Sequence, residues 1–136
     1  VTPMSKNRST LTPRQLALRC AEYADNKKAE NILILDVRGL TSFTQYFVIA
    51  SGTSEPHLRA ISDEITERLN HEFGIKPIGV DGTINSAWVV LDYDEVVVHL
   101  MRPDVRERYD LEGLWGDAKR VKPRRQTRSK SNTKQN

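Results

Sequence analysis

Three stretches of the chain are apolar on both alternations: residues 32–37, the run Tyr46–Ser51, and the two arms of residues 86–101, SAWVVLDYDEVVVHLM. Successive side chains of a strand point to opposite faces, so strands of this kind need cover on both sides. Such strands are usually central in their sheet, the pattern of a layered α/β domain. In residues 86–101, two β-branched runs flank the polar stretch Asp92-Tyr93-Asp94-Glu95, the pattern of a β-hairpin. A two-residue loop of Tyr93 and Asp94 pairs Asp92 with Glu95 and sets Trp88 opposite His99. Val89, Leu91, Val96, Val98 and Leu100 then form one aliphatic face, and Trp88, Val90, Val97, His99 and Met101 the other.

The helices are as clearly marked. Thr12-Pro13-Arg14-Gln15 combines a capping residue, a proline at the first helical position and a glutamine able to reach back, which predicts a helix from Pro13 to about Ala29. Its buried stripe is Leu16, Cys20, Tyr23 and Ala24. Ser54 followed by Glu55-Pro56 opens a second helix, in which Leu58, Ile61, Ile65, Leu69 and Phe73 recur every three or four residues until Gly74 stops it. A short strand at residues 76–80 leads through the turn Asp81-Gly82 to the hairpin. After Pro103 the chain is expected to be helical or irregular as far as Leu114 and Trp115. Two helices about 10 Å across cover one face of a five-stranded sheet whose strands lie about 4.8 Å apart. The other face, with Trp88, His99 and Met101, is either a second core layer beneath Leu111, Leu114 and Trp115, or a docking surface for another protein.

At 136 residues one domain is expected, spanning residues 11–118 between a disordered leader (1–10) and a basic disordered tail (119–136). The formal net charge of +3 hides an asymmetry: residues 1–118 carry 13 Lys and Arg against 18 Asp and Glu, whereas residues 119–136 carry eight Lys and Arg and no acid. The tail reads as an electrostatic arm for RNA phosphates or an acidic surface, or as a solubilising extension. No apolar run approaches the roughly 20 residues a membrane span needs. The single cysteine, Cys20, cannot form an internal disulfide and sits at helical spacing from Leu16 and Tyr23, the position of a small buried hydrophobe. A cytoplasmic or organelle-matrix location fits.

Two features invite an enzymatic reading. Ser51-Gly52-Thr53-Ser54 before a helix has the form of a phosphate cradle, and Asp92 and Asp94 offer carboxylates for Mg²⁺, a combination found in nucleotidyltransferases. That chemistry places its carboxylate pair on the strand after the helix, where this chain supplies only Asp81. Asp92 and Asp94 occupy a turn, which favours Asp for backbone reasons. His57, His71 and His99 have no zinc-like spacing, His57 and His71 are expected on exposed helix surface, and neither Ser51, Thr53 nor Ser54 has a specified base. No catalytic, cofactor-binding or metal-ligating residue is expected.

The chain resembles the ribosomal silencing factors, also called the Iojap family. The resemblance is carried by Tyr46-Phe47-Val48-Ile49-Ala50-Ser51-Gly52-Thr53-Ser54, Trp88-Val89-Val90-Leu91-Asp92-Tyr93, Val96-Val97-Val98-His99, and Tyr109-Asp110-Leu111-Glu112 with Leu114-Trp115 and Asp117-Ala118. It implies a single α/β domain with a mixed five-stranded sheet and flanking helices, similar to the nucleotidyltransferase fold but without its catalytic residues. It also implies a translation repressor that binds ribosomal protein fourteen of the large subunit and blocks joining of the small subunit. On that reading Trp88 is the anchor, Val90, Val97 and Met101 its apolar surround, His99 a polar contact and Asp92 the rim, with Leu114 and Trp115 extending the surface. A free apolar sheet face also makes a homodimer plausible away from the ribosome. The sequence departs from the family at Gln45, where Asp is usual, and at Asp94-Glu95, where Gly-Asp is usual; the latter adds negative charge facing a basic partner.

Overall fold

A computed structural model describes residues 11–83 and 87–123. In chain order the elements are α1 (Pro13–Asn26), β1 (Glu30–Asp36), β2 (Tyr46–Ser51), α2 (Glu55–Phe73), β3 (Gly79–Thr83), β4 (Trp88–Asp92), β5 (Val96–Met101), α3 (Pro103–Tyr109), α4 (Leu111–Leu114) and β6 (Lys119–Val121). The predicted caps are present. Thr12 Oγ1 accepts from the Gln15 amide at 3.1 Å while Gln15 Oε1 accepts from the Thr12 amide at 2.9 Å, and Gly74 ends α2 in the left-handed region at φ 69°.

The sheet is mixed and runs β3-β4-β5-β2-β1-β6, with β2 and β5 parallel and every other pair antiparallel. All six residues of β2 are buried. Tyr46, Val48 and Ala50 face α1 and α2 together with Ile34, Val89, Leu91, Val96, Val98 and Leu100. Phe47 and Ile49 point the other way and form a smaller core with Leu35, Val37 and Met101. β2 is thus covered on both sides, by two long helices on one and by the segment α3–α4 on the other, while the second face of β4 and β5 is only partly covered.

Three expectations need correction. Among the described residues the sheet has six strands, because Lys119–Val121, assigned to the tail, pairs with β1 through Ile34↔Val121 and Asp36↔Lys119. One apolar residue in a basic run gives almost no strand pattern, yet Val121 is only 7% exposed and closes the free edge of the helix-side core. The strand expected at residues 76–80 lies at Gly79–Thr83 instead. Asp81 and Gly82 are inside it, and Gly82 takes φ 77° against the Trp88 carbonyl, where a side chain has no room. The hairpin register is shifted by two. Its loop is Asp94-Glu95, Tyr93 donates to the Val96 carbonyl at 2.8 Å, and Trp88 pairs with Met101 while His99 pairs with Val90.

The cause of that shift is Tyr93. Its ring is buried in the helix-side core, a position lost if it sat at the loop tip. Asp94 accepts the strain instead at φ 72°, and its amide donates to Asp92 Oδ1 at 2.7 Å. Because the shift is even, every residue keeps its predicted face.

The terminal segment is held by a buried cation. Arg106 is 9% exposed; its Nη1 donates to Ser51 Oγ at 2.9 Å and its Nε to Glu112 at 2.7 Å, joining α3 to the end of β2 and to α4. Removing one partner from a buried ion pair strands the other. Arg106→Ala should therefore destabilise the fold by about 2–3 kcal/mol, and Ser51→Ala by about 1 kcal/mol, in urea unfolding. Because the two changes share one hydrogen bond, the double variant should lose less than the sum.

Candidate docking face

Alternation along β4 and β5 brings Trp88, Val90, Asp92, Val97, His99 and Met101 to the sheet face away from the long helices. The first five are half-buried. Met101 is not: at 0% exposure it lies in the second core beneath the terminal segment, so its expected role as a contact residue is replaced by a packing one. Leu114 and Trp115 separate in the same way. Trp115 is half-buried with its ring 5.3 Å from that of Phe47, sealing the second core, while Leu114 is 72% exposed.

The face is organised as a row of rings. Tyr109 from α3 lies 4.9 Å from Trp88, Trp88 lies 6.0 Å from His99, His99 meets Phe47 edge-on at 5.3 Å, and Phe47 meets Trp115. Tilted and edge-on contacts at these distances suit the ring quadrupoles. Two members, Phe47 and Tyr109, were not singled out from the sequence. Phe47 was readable in principle, since the alternation of β2 puts it on this face. Tyr109, 53% exposed, arrives through the path of α3, which has no such periodic signal. The exposed Leu40 and Phe43 of the β1–β2 connection were missed for the same reason.

Trp88 Nε1 donates to His99 Nδ1 at 3.2 Å, although the two are diagonal neighbours rather than partners across the hairpin. An accepting Nδ1 requires the neutral imidazole with its proton on Nε2. Burial favours the same state and pushes the His99 pKa down from 6.5 to about 4. The acidic rim lies at the hairpin tip, where Asp94 and Glu95 are exposed and Asp92 is tied to the turn.

The groups that suggested enzymatic chemistry have other partners. The Gly52 amide donates to the Met101 carbonyl at 3.1 Å and the Thr53 amide to His57 Nδ1 at 2.9 Å, so two amides of the phosphate-cradle reading are occupied. Gly52 itself is required by packing: a Cβ there would lie 2.9 Å from Leu58 Cδ2. His57, expected on the surface, is half-buried and joins this loop to the Lys27 carbonyl at 2.7 Å through Nε2. His71 is exposed. Cys20 is fully buried in the helix-side core, which raises its pKa to about 12. Among the described residues no group of three or more His, Cys, Asp or Glu is arranged to hold a metal ion, and no helix is long and apolar enough to cross a membrane.

These features define an α/β domain with one sheet face sealed by helices and the other half covered by a short terminal segment. A model of the family described as "Ribosomal silencing factor during starvation" matches residues 10–136, and the chain belongs to that family. It is 41% identical over 98 residues to "Ribosomal silencing factor RsfS" of Bacillus subtilis, covering 72% of this chain and 82% of that protein. It is 35% identical over 91 residues to "Mitochondrial assembly of ribosomal large subunit protein 1" of Mus musculus, covering 65% of this chain and 40% of that longer protein. A crystal structure of a Chromobacterium violaceum protein matches the fold with a TM-score of 0.74 at 32% identity, covering 78% of this chain and 88% of that one.

The depressed pKa of His99 has a consequence for stability. Neutral His99 contributes fully above 6.5, the ordinary value it regains on unfolding, and the contribution disappears as pH falls through about 4. Over that window the fold should lose up to roughly 3 kcal/mol through this group. His99→Gln should have a flatter stability profile between neutral pH and the onset of acid unfolding, measured by urea titration. Parallel profiles for the two proteins would contradict the assignment.

Proposed function

We propose that this silencing factor represses translation by binding the large ribosomal subunit through ribosomal protein fourteen, and that the bound domain sterically blocks joining of the small subunit. The reaction has no covalent step and the protein is not an enzyme. One observation carries this reading: the half-open face, with Trp88 on it, exposed Tyr109 packed against Trp88 and the acids of the hairpin tip at its edge. An apolar centre with an aromatic anchor and a charged rim is the anatomy of a protein interface. Acids at the rim complement a basic ribosomal protein and speed encounter with it. The mouse relative is named for assembly of the ribosomal large subunit, which supports a partner on that subunit. The compartment follows the ribosome served, cytoplasm or organelle matrix. Away from the ribosome, the same face would serve a homodimer.

The alternative of a nucleotidyltransferase-like, phosphate-handling enzyme is disfavoured by the occupied amides of Gly52 and Thr53 and by the turn-bound carboxylate of Asp92.

The test uses purified subunits. In a light-scattering assay of subunit joining, the wild-type chain should inhibit, and Trp88→Ala should bind ribosomal protein fourteen about 30-fold more weakly, equivalent to about 2 kcal/mol. The Trp88 variant should stay cooperatively folded, because its ring is only half-buried. Leu91→Ala, which empties a fully buried site, should instead lose about 3 kcal/mol of stability. A Trp88→Ala protein that inhibits and binds like wild type would remove this face from the contact.

A further inference from the structure

We propose that the outer edge of β3 is a strand-addition site, which takes an extended polypeptide segment of alternating aliphatic and basic residues as a further strand of the sheet. Among the described residues the sheet has two edges, β3 and β6. They are built differently. β6 has three residues, of which Lys119 and Arg120 are charged, and short charged edges are how natural sheets avoid unwanted pairing. β3 has five residues, Gly79–Thr83, with no Lys, Arg or Pro among them. Val80 on this strand is 58% exposed, and Ile78 just before it is 70% exposed.

Hydrogen bonds fix which backbone groups this edge presents. The Tyr93 amide donates to the Val96 carbonyl at 2.8 Å, toward β5, whereas the Asp92 carbonyl accepts from the Ile78 amide at 2.7 Å, on the β3 side. Alternate residues of an antiparallel ladder bond to alternate neighbours, so Asp92 and Val90 bond toward β3, where they pair with Gly79 and Asp81. Val80 and Gly82 therefore turn their N–H and C=O groups to the outer edge. The side chains alternate as well. Val80 pairs with Leu91 and lies on the helix side of the sheet, while Asp81 pairs with Val90 on the half-covered face. Asp81 is exposed, Asp92 and exposed Asp94 stand toward the start of the strand, and exposed Lys76 offsets one of these charges.

These details select the occupant. In the one antiparallel register that uses both outward residues of each copy, a second copy of this chain sets Val80 of one against Gly82 of the other. That register puts the two Asp81 carboxylates directly opposite each other, which is destabilising. A foreign strand with Lys or Arg at this position gains an opposite-charge pair instead, and its flanking aliphatic residues fall on the side of Val80.

The inference does not depend on the contact proposed for the half-covered face: its test contains the full-length chain and a synthetic peptide only. A capped peptide alternating Val and Lys is titrated into isotope-labelled protein and followed by amide NMR spectra and hydrogen exchange. Binding should slow exchange at the Val80 and Gly82 amides. N-methylation of the peptide's valine amides, which face β3 when a lysine lies opposite Asp81, should abolish binding, and N-methylation of its lysine amides should not. The same peptide with Glu in place of Lys should bind at least about fivefold more weakly, and Asp81→Lys should reverse that preference. Val80→Pro should weaken binding by about tenfold and melt like wild type, because the amide it removes has no partner among the described residues. Absence of binding, unchanged exchange at Val80 and Gly82, or equal loss on methylating either set of peptide amides would overturn the proposal. So would equal affinity for the Lys and Glu peptides. A protein dimer that Val80→Pro dissociates in sedimentation equilibrium would assign the edge to a second copy and overturn it too.

Discussion

A strand buried along its whole length on both faces imposes the architecture of this domain. Tyr46–Ser51 places three side chains on each side of the sheet and tolerates water on neither. On one side α1 and α2 supply large aliphatic surfaces, and the core there takes in every other residue of the hairpin. On the other side, among the described residues, only α3 and α4 are available, of seven and four residues. They are long enough to cover Phe47, Ile49 and Met101 but leave the β4 side of the same face half open. The opening is thus the remainder of a packing problem whose solution depends on a buried arginine.

That arginine and the aromatic row are coupled through the chain they share. Arg106 fixes α3, α3 carries Tyr109 to Trp88, and the continuation through α4 carries Trp115 to Phe47. Trp88 and His99 lie between these clamps, joined by a hydrogen bond that needs a neutral imidazole. The face is therefore ordered before any partner arrives, and little side-chain entropy remains to be lost on contact. Its polar element stays uncharged at physiological pH, which limits the desolvation cost of covering it.

Much of this was legible in the sequence, and the limits have physical causes. Caps and three-four periodicity gave α1 and α2, and two-sided alternation gave β1, β2 and the need for a second layer. The parity of the hairpin fixed which face Trp88 and His99 occupy, even though its register was displaced by two. Register depends on whether Tyr93 is buried, a tertiary fact with no local signature. β6 was invisible because three residues with one valine become a strand only beside the open edge of β1. On the candidate face, alternation alone could not divide Met101, which is sealed, from Val90 and Val97, which are not; that division follows from the path of α3 and α4. Tyr109 entered the site by the same path.

Membership in the ribosomal silencing factor family says what kind of process the domain serves; the sheet says which of its surfaces is available. The central claim is that the half-covered face, and not the helical layer, meets the ribosome. Photocrosslinking tests it directly. A photoreactive residue would be placed at Val90 or Tyr109 on the half-covered face, or at Glu67 on the exposed side of α2, and each protein irradiated with purified large subunits. The account predicts crosslinks to ribosomal protein fourteen from positions 90 and 109 and none from position 67. Crosslinks to that protein from position 67 with none from the other two would contradict it.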